Sequence, residues 1–78
     1  MIAELKNRTA RSWIRSLERE GFVPRKSRGS HHVYQHPDGR RVLVVYHNLN
    51  DTFGPKTISQ ILTTTGWGEA DLKRVKLI

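Results

Sequence analysis

The stretch HHVYQHPDGRRVLVVYH, residues 31–47, constrains the fold of this chain more than any other. Pro37-Asp38-Gly39 is a turn signal, because proline presets φ, aspartate bonds the local backbone and glycine accepts a positive φ. The residues on both sides are rich in β-branched and aromatic side chains, which favour strands. Two such runs around a tight turn predict an antiparallel β-hairpin. In a hairpin centred on residues 37–40, His31 is expected to pair near residue 46.

A helix is predicted over residues 8–20, before the hairpin. Its apolar side chains recur at helical spacing and form one stripe. The stripe consists of Ala10, Trp13, Ile14 and Leu17. Asn7 is the expected N-cap, and Gly21 is expected to end the helix in the left-handed conformation. Trp13 is therefore expected in the core.

Three further segments complete the predicted order. Phe22 and Val23 indicate a short strand, which Pro24 places at a sheet edge or at a strand start. A second helix is predicted from Pro55 until Gly66, with Trp67 packed behind it. The tail GEADLKRVKLI is expected to be a short helix or a final strand, and residues 1–7 are given no element. The order α-β-β-β-α predicts an α+β fold, an antiparallel three-stranded sheet with two helices on one face.

Charge is the strongest global property of the chain. Fourteen lysines and arginines oppose seven acidic residues, a formal net charge of +7. A surplus of this size on one small domain, residues 1–78, predicts a polyanionic partner such as nucleic acid or an acidic protein. The chain has no cysteine, no signal-peptide pattern and no apolar run that could cross a membrane. These features lead us to expect an intracellular protein that does not bind a membrane.

Three motifs in order resemble the HicA family, the toxins of HicBA-type toxin–antitoxin pairs. Residues 28–34 (RGSHHVY) are similar to the Lys/Arg-Gly-Ser-His-His stretch of that family. Residues 36–39 (HPDG) precede an apolar strand ending at His47, as in the family. Residues 54–62 (GPKTISQIL), with Gly66, are similar to its Gly-x-x-Ile-Leu helix. Together the motifs cover most of the chain.

The resemblance implies a fold similar to the double-stranded-RNA-binding domain. It also implies a cytoplasmic ribonuclease that cleaves mRNA, inhibits translation and growth, and is neutralised by a HicB antitoxin in a hetero-oligomer. A non-catalytic double-stranded-RNA-binding module is the alternative, since the fold and the charge support it equally well. A DNA-binding regulator is disfavoured, because no recognition-helix pattern is found.

The histidines are the candidate catalytic groups. RNA carries its own nucleophile, the 2′-hydroxyl, so cleavage without metal needs only an acid and a base, and imidazole can serve as either near neutrality. His31 is the first choice, because it matches the histidine after Gly-Ser in the family motif. His32 is the competing choice, since adjacent strand residues point to opposite faces. His47 is expected near the same strand end, whereas His36 is expected to be an ordinary residue flanking the turn.

Cations beside these histidines are the candidate RNA contacts. Lys26 and Arg28 precede His31, and Lys56 lies at a helix N-terminus, where backbone amides also attract phosphate. Gly29 and Ser30 allow an RNA backbone to approach closely, although a plain loop explains them too. Arg40 and Arg41 are equally well explained as phosphate contacts or as solvated turn residues. No metal site and no cofactor are expected, because adjacent strand histidines diverge and cysteine is absent.

Overall fold

A computed structural model describes residues 2–78 and has the order α-α-β-β-β-α-α. The helices are α1 (Ile2–Leu5), α2 (Ala10–Glu20), α3 (Pro55–Thr65) and α4 (Glu69–Arg74), and the strands are β1 (Val23–Arg28), β2 (His31–Gln35) and β3 (Arg41–Val45). The predicted α+β fold is confirmed, and two short helices, α1 and α4, are added at its ends. None of the described helices is long and apolar enough to span a bilayer.

The sheet is antiparallel, with β2 between β1 and β3. The predicted hairpin is confirmed, and His31 pairs with Val45, within one residue of the position expected. β1 is longer than the short strand expected, and an irregularity between Pro24 and Lys26 interrupts its pairing with β2. Pro24 lies on an edge strand, as predicted, where its missing N–H costs no ladder hydrogen bond.

Only one face of the sheet is covered by helices. The buried core combines side chains from this face with α2, α3 and the two chain ends. Its members include Leu5, Trp13, Leu17, Phe22, Tyr34, Val42, Val44, Ile58, Ile61, Leu72 and Leu77. We call the uncovered side the open face, and cross-strand pairing assigns to it Val23, Lys26, Arg28, His31, Val33, Gln35, Arg41, Leu43 and Val45. The expectation that both helices pack on one face is therefore confirmed, and so is the buried position of Trp13.

Helix α2 begins at Ala10, and its N-cap is Thr9 rather than Asn7. The Thr9 hydroxyl accepts a hydrogen bond from the Ser12 amide at 3.3 Å. The next free amides are satisfied by a loop: Ala10 N donates to Asp51 O at 2.7 Å, and Arg11 N donates to the Leu49 carbonyl at 3.1 Å. The backbone carbonyls of this loop therefore cap the helix. The residues next to the helix start do not indicate this, because the acceptors are about forty residues away in the sequence. Gly21 ends the helix with φ of +107°, as predicted.

The C-terminal tail forms α4 and then packs against α2. The Ser16 hydroxyl donates to the Val75 carbonyl at 2.8 Å, and Arg8 Nε donates to the Leu77 carbonyl at 2.7 Å. Both bonds satisfy carbonyls beyond the end of α4, where no helical partner is available. Of the two structures expected for the tail, the helix is therefore the one that forms, and it adds apolar residues to a core that a short chain would otherwise leave thin.

A cluster around Glu20 joins the end of α2 to three other parts of the chain. Its carboxylate accepts from Arg74 of α4, from the Trp67 indole at 3.2 Å and from Arg40 at 3.4 Å. Its backbone carbonyl lies 2.9 Å from His36 Nε2. Trp67 is buried, as predicted. The hydrogen bond from Arg74, first of several contributions, lowers the pKa of Glu20 below its ordinary value of about 4.5.

Replacing Glu20 with glutamine is expected to lower the free energy of unfolding near neutrality by about 1–3 kcal/mol, because Arg40 and Arg74 each lose one of two carboxylate partners and keep only Asp38 or Asp71. Since the folded-state pKa is lowered, this stabilisation is complete above the ordinary pKa of glutamate and is lost as the pH falls through the lowered value. Urea unfolding at neutral and acidic pH checks both points. Glu18→Gln, an exposed change on the same helix, is the control. An equal gap between wild type and Glu20→Gln at both pH values would contradict the assignment.

Candidate active site

The turn between β1 and β2 has two residues, Gly29 and Ser30, with Arg28 and His31 paired on either side. Gly29 has φ of +58°, a conformation that two-residue hairpin turns require and that glycine adopts without strain. On the other side of β2, the Tyr46 amide donates to the Ser30 carbonyl at 3.0 Å. The turn is therefore held beside the end of β3, where the histidine-bearing segments meet.

His31 and His32 point to opposite faces of the sheet. His32 pairs with Val44 and shares the helix-covered face with Tyr34, whereas His31 pairs with Val45 on the open face. His31 is exposed and His32 is half-buried. The alternation expected from the sequence is confirmed: the His31 imidazole lies on the open face and the His32 imidazole on the helix-covered face.

A surface depression of about 440 Å³ lies at this end of the sheet. It is lined by Gly29, Ser30, His32, Tyr46 and His47. Four of the predicted site residues are thus brought together: the two turn residues and two of the three candidate histidines. His31 is not among the lining residues, because it lies on the other face.

The imidazole of His32 is held on two sides. Its Nδ1 lies 2.9 Å from the Ser27 hydroxyl of β1, and its ring stacks on Tyr46 at a centroid distance of 3.9 Å and an interplanar angle of 14°. No other hydrogen bond to this ring is present within residues 2–78, so Nε2 is the ring nitrogen left for a ligand. Behind the stack, burial and then the neighbouring Tyr46 raise the pKa of Tyr34 to about 12, so that phenol stays neutral.

His47 is positioned through its backbone. The Asp51 carboxylate accepts from the His47 amide at 2.9 Å and from the Asn48 amide at 3.0 Å. The bond from the His47 amide, followed by that from Asn48, lowers the pKa of Asp51. Because the Asp51 carbonyl also accepts from α2, the segment that carries His47 is tied to the core helix.

The open face carries His31 among cations. Arg28 pairs directly opposite His31, Lys26 pairs with Val33, and Arg41 lies one strand further on. All three cationic residues are exposed, and the described part of this face contains no acidic residue. Two of the predicted RNA contacts, Lys26 and Arg28, therefore flank His31 rather than the depression.

Other cationic and imidazole groups have structural roles or lie apart. His36 uses both ring nitrogens, Nε2 toward the Glu20 carbonyl and Nδ1 to accept from the Asp38 amide at 3.1 Å, which fits an ordinary residue flanking a turn. Arg40 bonds Asp38 and the Thr65 carbonyl and lies over Phe22, so it belongs to the packing of the turn.

Lys56 is exposed in the first turn of α3 and does not line the depression. A second depression, of about 250 Å³, lies beside Val23 and Pro37 and contains His36. Within residues 2–78 no three histidine or carboxylate side chains come together in a way that could hold a metal ion.

The fold and the site together define a small basic α+β protein whose hairpin end carries a histidine-lined depression beside a cationic sheet face. The chain belongs to the HicA toxin family: the family model for the HicA toxin of bacterial toxin–antitoxin systems matches residues 10–67, from the start of α2 to Trp67. Membership identifies the chain as a toxin of such a system and suggests an antitoxin as its partner. No curated protein matches the chain.

Sequence reasoning missed two residues of the depression and its support, Tyr46 and Ser27. From the sequence, Tyr46 contributes only to the β propensity of the returning strand. In the structure its ring stacks on His32. Ser27 could be paired with His32 only if β1 was known to run as far as Arg28. In the observed register Tyr46 lies two residues beyond Val44, the partner of His32, and so is a diagonal neighbour that reaches the His32 ring.

Replacing Asp51 with alanine is expected to release the segment that carries His47, since two amides lose their acceptor. Hydrogen exchange of the His47 and Asn48 amides should accelerate by about tenfold or more, while core amides of β2 change little. Asn50→Ala in the same loop is the matched control, because only the backbone of Asn50 is hydrogen-bonded. Unchanged exchange at His47 in the Asp51 variant would show that the loop is held by other contacts.

Proposed function

We propose that this toxin is a metal-independent endoribonuclease that cleaves mRNA by histidine acid–base catalysis. The observation that carries the proposal is the depression in which His32 and His47 lie together beside a glycine-serine turn. Two histidines in one cleft can supply both groups that phosphodiester cleavage needs: a base that takes the proton of the 2′-hydroxyl and an acid that protonates the leaving 5′-oxygen. Family membership supports the toxin role, and the net charge of +7 supports an anionic substrate.

In the proposed reaction the ribose 2′-oxygen attacks the adjacent phosphorus while one imidazole takes the hydroxyl proton. The bond from phosphorus to the 5′-oxygen breaks, and a second, protonated imidazole gives its proton to that oxygen. The products are a 2′,3′-cyclic phosphate and a 5′-hydroxyl, so no water and no oxidant enters this step. The Ser30 hydroxyl is the proposed donor to the phosphate as its charge develops, because Ser30 lines the depression with both histidines.

We propose His32 as the group that acts in the depression, with His47 as its partner. The contact with Ser27 and the stack on Tyr46 fix the His32 ring, and a catalytic group must be held in place to act efficiently. His31, the choice from the motif alone, stays a competing prediction, because it stands exposed beside Arg28 on the other face. The two positions are close enough in the chain that only separate substitutions distinguish them.

Phosphate contacts are proposed on both sides of the hairpin turn. Lys26 and Arg28 project from β1 on the open face, and Gly29 and Ser30 lie at the mouth of the depression. An RNA strand that crosses the turn would meet both sets. Lys56 is proposed as a more distant contact that follows the backbone by charge. Recognition of this kind reads the phosphate chain and little of the base sequence.

The proposed partner is an acidic antitoxin of the HicB type. A protein of opposite charge is attracted to the cationic face and excludes RNA from it in a hetero-oligomer. Because the proposed substrate is mRNA, the site of action is the cytoplasm, where cleavage inhibits translation and growth. Co-expression of the antitoxin is then expected to restore growth.

Substitution of His32 or His47 by alanine is expected to lower the rate of RNA cleavage by about a hundredfold or more, with RNA affinity nearly unchanged. The measurement is cleavage of a labelled mRNA transcript by the purified protein in the presence of EDTA, with binding measured separately. His31→Ala is the matched variant one residue away and is expected to keep most of the activity. A transcript containing 2′-deoxyribose at the cleaved position should resist cleavage, and the products should end in a cyclic phosphate.

Each contrary result has a defined meaning. Loss of cleavage in His31→Ala alone would move the catalytic group to the open face. Equal cleavage by wild type and by all three variants would reject histidine catalysis. RNA affinity without any cleavage by the wild type would leave the non-catalytic RNA-binding module as the function.

Replacing Lys26 and Arg28 together by glutamine is expected to weaken RNA binding and to flatten its salt dependence. For single-stranded RNA, each phosphate contact that is lost should reduce the slope of log K against log salt concentration by about 0.7. Binding titrations over a range of salt concentrations check this. Lys6→Gln, exposed near the N-terminus, removes one positive charge and is the matched control for each β1 substitution made alone. If Lys6→Gln flattens the slope as much as either β1 substitution alone, binding follows total charge and the β1 contacts are not specific.

A further inference from the structure

β3 is the outermost strand on its side of the sheet, and one row of its backbone groups points away from β2. Tyr46 N bonds Ser30 O, and His36 N bonds the carbonyl of Arg40, so even-numbered residues at both ends of β3 face β2. Antiparallel ladders alternate, and the odd-numbered residues of β3 must therefore turn their N–H and C=O groups outward. These residues are Arg41, Leu43 and Val45.

The two edges of the sheet are built differently. β1 carries the devices that keep an edge from pairing: Pro24, an irregular register and exposed cations. β3 has none of these in its middle, because its pairing with β2 runs through five successive residues without a shift. Only Arg41, at its first position, places a charge on this edge.

The outward groups of β3 have no partner in the described part of the chain. Among residues 2–78, no backbone or side-chain hydrogen bond joins Leu43 or Val45 to anything beyond the sheet. Their side chains are also unusually accessible for aliphatic residues, at 40 % and 39 % exposed. Val23, at 48 % exposed, adds to this apolar surface. The same face carries the cations Lys26, Arg28 and Arg41. An unpaired regular edge beside an apolar surface is a template for another strand.

Charge decides which strand can occupy the edge. A second copy of this chain would bring another +7 and the same cationic face, so self-pairing is opposed. An acidic protein is attracted to the edge by Arg41, and the net charge of +7 adds to that attraction. We propose that an extended segment of an acidic partner protein adds to β3 as a fourth strand. Its open-face side chains are apolar beside Leu43 and Val45 and acidic near Arg41.

The open-face side chains of this docking surface, Leu43 and Val45, lie on the opposite side of the sheet from His32. The proposed docking rests on the topology and the charge, and it holds whether or not the chain cleaves RNA. A strand added to β3 extends the sheet away from β1, so the β1 cations and the depression stay accessible to other parts of the partner. The segment needs alternating side chains because successive residues of a strand face opposite sides.

The probe is a capped peptide, Glu-Thr-Val-Thr-Val-Thr-Glu, which reads the same in both directions and so does not depend on strand polarity. Titration into the ¹⁵N-labelled chain is expected to shift the amide signals of Leu43 and Val45 saturably. At a peptide concentration of about four times its Kd, exchange of these amides should slow about fivefold. The same peptide with proline at its centre, or with lysine for both glutamates, should bind at least about tenfold more weakly.

Leu43→Lys/Val45→Lys should abolish the shifts, whereas Val23→Lys on the same face but the other edge should keep the Kd within about twofold. Both variants change exposed side chains. The melting temperature of each variant is measured alongside to check that it folds. The proposal is overturned if the signals that move belong to β1 or to the depression, or if the proline peptide binds equally well. It is also overturned if dilution of the free chain speeds the exchange of the Leu43 and Val45 amides, or if an RNA oligonucleotide slows that exchange and displaces the peptide, since the occupant would then be a second copy or RNA.

Discussion

The alternation of side chains along β2 and β3 is the constraint on which the structure depends. Tyr34, Val42 and Val44 occupy the helix-covered face because only that face can be buried in a three-stranded sheet. Their burial fixes the register, and the register in turn sets His32 on their face and His31 on the other. The site is therefore a consequence of core packing: shifting the hairpin by one residue would exchange the two imidazoles and expose the core.

Acidic residues hold this register in place at both ends of the hairpin. The Glu20 carboxylate accepts from Arg40 beside the turn, its backbone carbonyl lies within hydrogen-bond distance of His36, and the Asp51 carboxylate fixes the opposite end at His47. Asp38 and Asp71 are likewise bonded within the fold, so four of the seven acidic residues are used internally. None of these four lies on the open face, so within the described chain the cations of that face have no carboxylate beside them there. The cationic character of the open face thus follows partly from where the carboxylates are used.

Features set by local chemistry were predictable from the sequence. Gly21 and Gly66 ended helices where a left-handed residue was needed, and the Pro37-Asp38-Gly39 signal placed the hairpin. Features set by distant contacts were not. Thr9 replaced Asn7 as the cap because a loop some forty residues away supplies the next acceptors. The partners of His32 were hidden for the same reason, since Ser27 reaches it only through the full length of β1.

A small chain that leaves half of its sheet uncovered must keep that surface from associating with itself. Burial of apolar area favours association in proportion to the area, and Leu43 and Val45 offer such area next to an unpaired edge. Repulsion between like surfaces opposes it, and the charges responsible lie on the same face as the apolar side chains. The same arrangement discriminates between partners. An acidic surface gains both from burial of apolar area and from attraction between opposite charges. A second copy gains from the apolar burial but is opposed by repulsion between like charges. An exposed edge is consequently tolerable in this chain only because of its charge, and its selectivity should weaken as salt screens that charge.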